Sequence, residues 1–325
     1  MKIKKKILRL NNIITDFYKN ICVFKFNVSI WIMLEQLFSY NRVKNGISLY
    51  ILKKKHCVIE DYLYHNYEDI VDEYRMKNSM KNSMNKDKII WFFWAQGKSN
   101  MPDIVKDCYN SVIKNCGHAK VKFIDLYNYS SLIDIPNWVI HKFDKKIISF
   151  THFSDILRVT LLAKYGGMWI DSTIFVSKTI PDFYFEKSFF TTKLNMGIMT
   201  CVSNARWNVQ MMSGNSCIFL FIRDFLCEYW KNNNELIDYF LIDYIIDIAY
   251  NEFNWFKEEL DSIELNNKTI FDMDIVANNQ YNDCKFNKII NQSIFHKFNW
   301  RKEYHMYIDG GEKFTNFGYF MNLFN

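Results

Sequence analysis

Two acids and a base stand close together in mid-chain: Asp155, Arg158 and Asp171. Around the first two, Phe153, Ile156, Leu157 and Leu161 recur with a helical period, which makes them an inward stripe. At 100° per residue Asp155 and Arg158 fall about 60° apart on the other side of that helix. They either face one cleft or pair with each other. Thr151 is a reasonable N-cap, and Gly166-Gly167 stop the helix. Met168-Trp-Ile-Asp171 then reads as a short strand ending in a carboxylate. Ligands of open α/β sheets bind outside the carboxyl ends of strands, so Asp171 is placed for a ligand or a metal. Taken singly, each piece also has a structural use. An acid and a base three apart form a surface ion pair worth a few tenths of a kcal/mol. A Gly-Gly pair is a helix stop, and an Asp after a strand caps the next element.

The elements that must hold these residues are legible in outline. Residues 88–95 are a continuous apolar run, the pattern of a strand covered on both faces. Pro102 marks a helix start, with Ile104, Val105, Cys108 and Val112 as its inner stripe. Residues 121–124 form a second strand, and Pro136 opens another helix toward Phe143. This alternation predicts an α/β architecture with a mostly parallel sheet. Residues 47–75, 218–230 and 236–250 read as helices, and the glycine-bearing end around Gly310 and Gly318 reads as a tail or lid. The tandem Lys77-Asn-Ser-Met, Lys81-Asn-Ser-Met has no apolar period and is the best linker in the chain.

Composition narrows the class. Only ten glycines and three prolines occur in 325 residues, against a turn-dense sandwich or propeller. Hydrophobic residues make up 49%, enough for a sizeable core, so general disorder is excluded. A net charge of +6 permits attraction to phosphates or an anionic lipid surface, but it is no nucleic-acid signature. Eight scattered cysteines without a CxxC pair exclude a zinc ribbon and suggest reduced thiols in a cytosol. Neither GxGxxG nor GxxxxGK[ST] occurs. The N-terminus is basic like a signal peptide. The apolar run at 21–38 is nevertheless broken by Lys25, Asn27 and Glu35 and lacks a cleavage site, which argues against a signal peptide and against a membrane span. A basic amphipathic helix on the inner membrane face, or a helix docked on the core, fits it better.

Ser154-Asp-Ile-Leu-Arg158 followed by Tyr165-Gly-Gly-Met-Trp-Ile-Asp171 resembles the signature of glycosyltransferases with a DxD sugar-binding region. The match is to the capsular polysaccharide synthesis family, related to yeast-type mannosyltransferases and the large clostridial glucosylating toxins. Residues 89–97 with Met101-Pro102 resemble the family's opening strand and loop. Tyr229-Trp230, residues 237–243 and His296-Lys297 resemble later, weaker motifs, so the likeness spans about 88–301. It implies a GT-A type nucleotide-sugar-binding fold with helical N-terminal and C-terminal additions. Residues 1–85 would be a helical, membrane-proximal region and 86–325 the catalytic domain.

By that resemblance Trp94 would stack on the nucleotide base, Asp155 would contact donor hydroxyls, and Arg158 donor sugar and phosphate. Asp171, with Ser172 and Thr173, would form the DxD-type element. Asp171 would then serve a Mn²⁺ or Mg²⁺ ion, which with a nearby Arg stabilises a departing diphosphate. Thr173 stands where many relatives carry a second Asp, leaving the metal one carboxylate short. Thr173 itself, water, Asp243, Asp272, Asp274 or His296 would complete the shell, and strict metal dependence is open. His152 and Ser154 read as locally bonded structural residues, and Trp91 and Trp94 as either core or platform. The function implied is transfer of a sugar from a UDP- or GDP-linked donor to a polysaccharide or lipid-linked oligosaccharide, with retention of configuration. It would occur in the cytoplasm or on the inner membrane face. Protein glycosylation by an effector-like enzyme, or sugar binding without catalysis, are the alternatives.

Overall fold

The structure, a computed structural model, describes residues 2–38, 46–77, 88–194 and 202–324. Three helices open the chain: α1 (Lys2–Phe38), α2 (Gly46–Asn66) and α3 (Glu68–Arg75). Helix α1 is broken at Lys25, whose φ is 68° and ψ 162°. Arg9 donates to the carbonyl of Gln36, a pair that a straight helix would hold about 40 Å apart. The two halves therefore fold back on each other, and Phe24, Val28 and Ile32 are buried along with Ile59 and Leu63 of α2. By length and composition alone, Ile7–Phe38 would be long and apolar enough to cross a membrane. That stretch contains the Lys25 break.

The 77–84 tandem lies, beyond Lys77, outside the described residues, and so does the boundary expected at 85/86. The core then runs β1 (Ile89–Phe93), α4 (Asp103–Asn115), β2 (Lys120–Ile124), α5 (Asn137–Asp144), α6 (Phe150–Tyr165), β3 (Met168–Ile170) and β4 (Ile174–Val176). It continues through α7 (Phe183–Glu186), β5 (Phe189–Thr191), β6 (Met211–Gly214), α8 (Ile218–Asn232), α9 (Leu241–Glu252) and α10 (Asn254–Asp261). The last stretch holds α11 (Asp272–Val276), α12 (Asp283–Gln292), β7 (Phe295–Lys297), β8 (Tyr307–Ile308), β9 (Lys313–Phe314) and α13 (Asn316–Phe324).

An α/β architecture is observed, with a five-stranded sheet in the order β2-β1-β3-β6-β5. Strand β1 is buried along its whole length and pairs in parallel with β2 and β3, placing Trp91 opposite Lys122 and Trp169. The predicted mostly parallel sheet needs correction, because β6 runs antiparallel to both β3 and β5. Parallel neighbours need a crossover, usually a helix, which α4 supplies from β1 to β2. Between β3 and β6 the described chain has, besides β4 and β5, only one short helix, the four-residue α7.

Other boundaries shift for local reasons. Helix α9 starts at Leu241, not at 236, because Asp238 is used elsewhere. Its carboxylate accepts from the backbone N–H of Phe240 and from Lys55 of α2 at 2.8 Å. Lys55 and Asp238 are both nearly buried, so this ion pair pins the N-terminal helices to the core. Tyr74 of α3 adds a hydrogen bond to Asp224 of α8. The expected tail is instead a docked helix: Phe320 of α13 is fully buried against Phe175 and Phe298.

Gly166-Gly167 end α6 as expected. Gly167 lies at φ +90°, and a Cβ there would sit 2.4 Å from the carbonyl oxygen of Ile89. Only glycine lets the chain leave α6 and enter β3 directly beside β1. Gly167→Ala should therefore lower unfolding stability in urea by at least about 2 kcal/mol. An unchanged midpoint would show that the contact relaxes freely.

Candidate active site

Helix α6 delivers two of the site's charges. Its N-cap is Ser149, not Thr151: the Ser149 side chain accepts from the backbone N–H of His152 at 3.3 Å. The helix is buried on nearly every side, not along one stripe, because it lies between the sheet and α8. Asp155 and Arg158 are consequently buried, and they pair: Arg158 Nη1 donates to Asp155 Oδ1 at 2.8 Å. The other arm of the guanidinium, Nη2, reaches Asp171 Oδ1 at 2.9 Å. One planar fork thus bridges the helix acid and the strand acid.

Asp171 stands directly after β3, with its backbone N–H on the Gln210 carbonyl and its own carbonyl taken by Ile174. Trp169 contributes twice, donating Nε1–H to Asp171 Oδ1 at 2.9 Å and laying its ring 5.0 Å from the Arg158 guanidinium. The second carboxylate oxygen, Oδ2, accepts from Lys297 Nζ at 3.0 Å. Burial works to raise the Asp171 pKa. The charges of Lys297 and Arg158 and the Trp169 hydrogen bond together outweigh it and hold the carboxyl below its ordinary value. Ser172 and Thr173 follow in the turn, and Thr173 is buried.

A cavity of about 390 Å³ opens here, lined by Thr173, Gln210, Phe271, Asp274, Lys297 and Trp300 among others. A second space of about 150 Å³, bordered by Trp207, Asn208 and Asp243, shares Gln210 and Phe271 with it. Gln210 Oε1 is buried without a hydrogen-bond partner between the two. Trp94 is half-buried, bonded through Nε1 to the Asn100 carbonyl, with its ring edge-on to Trp300. Trp91 is core, fully buried and bonded to the Gly166 carbonyl. A wider groove of about 1160 Å³ between α3, α5, α6 and α8 contains none of Asp155, Arg158 and Asp171.

The remaining candidates fall at different places. Asp243 accepts from Trp207 Nε1 at 2.9 Å, and its pKa is raised to about 7. Burial is the main cause and the Asp155 charge adds to it, while the Trp207 hydrogen bond and Arg158 oppose it. His296 is not brought to Asp171. It is fully buried, bonded through Nε2 to Ser177 at 2.9 Å and packed on Phe320. Burial, aided by Lys178, lowers its pKa to about 3. Successive strand residues face opposite sides, so β7 turns His296 inward and presents Lys297 to Asp171. His152 is buried with Nδ1 3.6 Å from Asp155. Ser154 bonds only the Thr151 carbonyl among its described contacts. Asp274 accepts from Tyr304 and pairs with Lys302. Sequence reasoning did not single out Lys297, Trp169, Gln210 or Trp300. Of these, Trp169 lay inside the Tyr165–Asp171 motif and Lys297 was the second half of a weak one, while Gln210 and Trp300 carried no signal.

The residues present do not fit the expected divalent ion. Both oxygens of Asp171 are engaged by cationic or N–H donors. Among the described residues no group of three or more His, Cys, Asp and Glu side chains could hold a metal. Mg²⁺ can use one carboxylate with substrate phosphates, but here Lys297 and Arg158 already bring positive charge to that carboxylate and would repel the ion.

Fold and site together define an α/β protein that gathers paired acids and bases at the carboxyl end of a parallel strand, where such sheets receive ligands. The sequence model of the capsular polysaccharide synthesis protein family matches residues 40–314, and the chain belongs to that family. It is also 26% identical over 117 residues to a protein described as O-glycosyltransferase braB from Annulohypoxylon truncatum. That match covers 33% of this chain and 28% of the relative, so the chain spans under a third of the relative's length. No solved structure matches. Family and relative both point toward sugar transfer.

Asp243 gives a test of the site's electrostatics. A carboxyl whose pKa rises on folding stabilises the folded state below its unfolded pKa, and that stability is lost as pH climbs toward 7. Urea unfolding of wild type should lose stability relative to Asp243→Asn between pH 5 and 7, on the order of 1 kcal/mol per pH unit. Parallel pH profiles for the two proteins would contradict this environment.

Proposed function

We propose that the chain is a glycosyltransferase of GT-A type acting on a nucleotide-sugar donor, UDP- or GDP-linked, in surface polysaccharide synthesis. The observation that carries this reading is the Arg158 fork between Asp155 and Asp171 beside an open cavity. Family membership supports it. A cavity near 390 Å³ lies within the range of about 300–1,000 Å³ that holds small ligands. In this reading Asp155 and Asp171 receive donor hydroxyls, and Trp94 with Trp300 offers aromatic faces for the base. Arg158 steadies the charge that develops on the departing diphosphate. The acceptor is a polysaccharide or lipid-linked oligosaccharide, and transfer is with retention, a donor phosphate oxygen taking the acceptor proton.

A second reading has one specific observation behind it. Asp243 borders the adjoining space and has a pKa near 7, where a general base works best. Were Asp243 the base, transfer would invert the anomeric centre, which the product's NMR spectrum distinguishes.

The first test is release of nucleotide from a panel of UDP- and GDP-sugars, with an acceptor screen that includes polysaccharide, lipid-linked glycan and protein. Arg158→Ala and Asp171→Asn should lower turnover at least ~10²-fold while the circular dichroism spectrum is kept. Inert donors throughout, or an Asp171→Asn variant as active as wild type, would sink the catalytic reading.

Location on the inner membrane face belongs to the same proposal. Ile7, Leu10, Ile14 and Tyr18 are exposed along one stripe of α1, beside Lys2, Lys4, Lys5, Lys6 and Arg9 in sequence. Binding to anionic vesicles should weaken as salt rises. Equal binding by a chain lacking the first 24 residues would refute it.

A further inference from the structure

We propose that Lys297 supplies the positive charge that a divalent cation would otherwise bring to Asp171, so that donor binding and turnover need no metal. The inference rests on the glycosyltransferase reading above and deepens it.

The geometry of one carboxylate carries it. Asp171 Oδ1 accepts from Arg158 and from Trp169, and Oδ2 accepts from Lys297 at 3.0 Å. A metal on the remaining Oδ2 site would lie within a few ångström of the ammonium and be repelled by it. Lys297 also lines the cavity, so the residue that holds the carboxylate borders the ligand space. With three N–H donors it can hold Asp171 and two phosphate oxygens at once. A bridging metal ion occupies the same relation to carboxylate and phosphates.

The position is built, not incidental. Strand β7 pairs antiparallel with β4 so that Lys297 stands opposite Ile174, three residues beyond Asp171. The Lys297 backbone N–H is fixed on the Ile270 carbonyl at 2.8 Å, and the neighbouring Phe298 N–H on that of Thr173. The backbone that anchors Lys297 is thus tied to the turn that carries Asp171. Thr173 leaves the second acidic position without a carboxylate, so Asp171 is the one acid of this turn that a metal could use.

In the reaction the bond between the sugar's anomeric carbon and the phosphate oxygen breaks, and its electron pair stays on that oxygen. Lys297 and Arg158 face the resulting charge and remain protonated throughout. A bond forms between the acceptor oxygen and the anomeric carbon, and the acceptor proton passes to the departing phosphate.

The test uses the full chain after treatment with EDTA. Calorimetry measures UDP and GDP binding, turnover of the donor panel is followed with and without Mn²⁺ or Mg²⁺, and the Mn²⁺ EPR signal reports metal uptake. Wild type should bind nucleotide and turn donor over equally in EDTA and in metal, and should leave the Mn²⁺ signal that of the free ion. Lys297→Met should weaken nucleotide binding at least ~10-fold and lower turnover ~10²-fold. Lys297→Arg should retain part of both. Turnover only with Mn²⁺, stoichiometric Mn²⁺ uptake, or Lys297→Met binding nucleotide as wild type does would each overturn the Lys297 assignment, leaving sugar transfer intact. No nucleotide binding and no turnover in any arm would overturn both.

Discussion

The Asp171 carboxylate is the junction on which the site depends. It receives Arg158 from α6, Trp169 from β3 and, from 126 residues further on, Lys297 of β7. Burying two acids beside two bases costs several kcal/mol of desolvation per ion, which is offset only when geometry and additional hydrogen bonds are good. Here Asp171 and Arg158 each have more than one partner, and the indole ring covers the guanidinium face. Removing any one cation would leave a carboxylate short of compensation, so the arrangement is cooperative. Helix, sheet strand and C-terminal strand are held in register by the same few atoms.

A different buried ion pair organises the far side. Lys55 on α2 meets Asp238 in the segment before α9, and Asn233 at the end of α8 donates to Tyr67. These polar contacts sit among aromatic packing, with Tyr67 against Phe225 and Tyr229 and Tyr74 against Phe221. The N-terminal helices therefore cover α8 and α9, and α8 in turn packs on α6. Few glycines and many aromatics suit this plan: stiff rings fill the layers, and backbone freedom is kept for a few turns. Gly167 is the clearest, admitting β3 beside β1 where any Cβ would strike the Ile89 carbonyl.

What the sequence disclosed follows from how local each signal was. The spacing of Asp155 and Arg158 fixed their proximity, because helical geometry is set within four residues. Membership in the family named from these motifs holds. Strand β1 was legible from its unbroken apolar run. The antiparallel half of the sheet was not, since β5 and β6 are three and four residues long and show no period that separates them from loop. The burial of Asp155 and Arg158 was invisible for another reason: it is imposed by α8, which packs over what would otherwise be a polar face. Lys297 was hardest. It lies 126 residues from Asp171, and the sequence marks His296-Lys297 only as a weak motif, without showing the strand whose alternation turns Lys297 to the acid.

The charges around Asp171 also constrain how a ligand must be received. Asp155 and Asp171 are matched one for one by Arg158 and Lys297, while Asp243 stays largely protonated below pH 7. The empty site is thus near neutral, and it is already arranged. A ligand that brings negative charge finds two cations whose orientation is fixed by existing bonds, so little reorganisation is required of the protein. Preorganised charge in a partly desolvated cavity acts more strongly than the same charge in water. It acts on whatever enters the cavity that Lys297 and Gln210 line. A cavity bordered by a lysine already held in place favours a ligand that presents an anionic group to it.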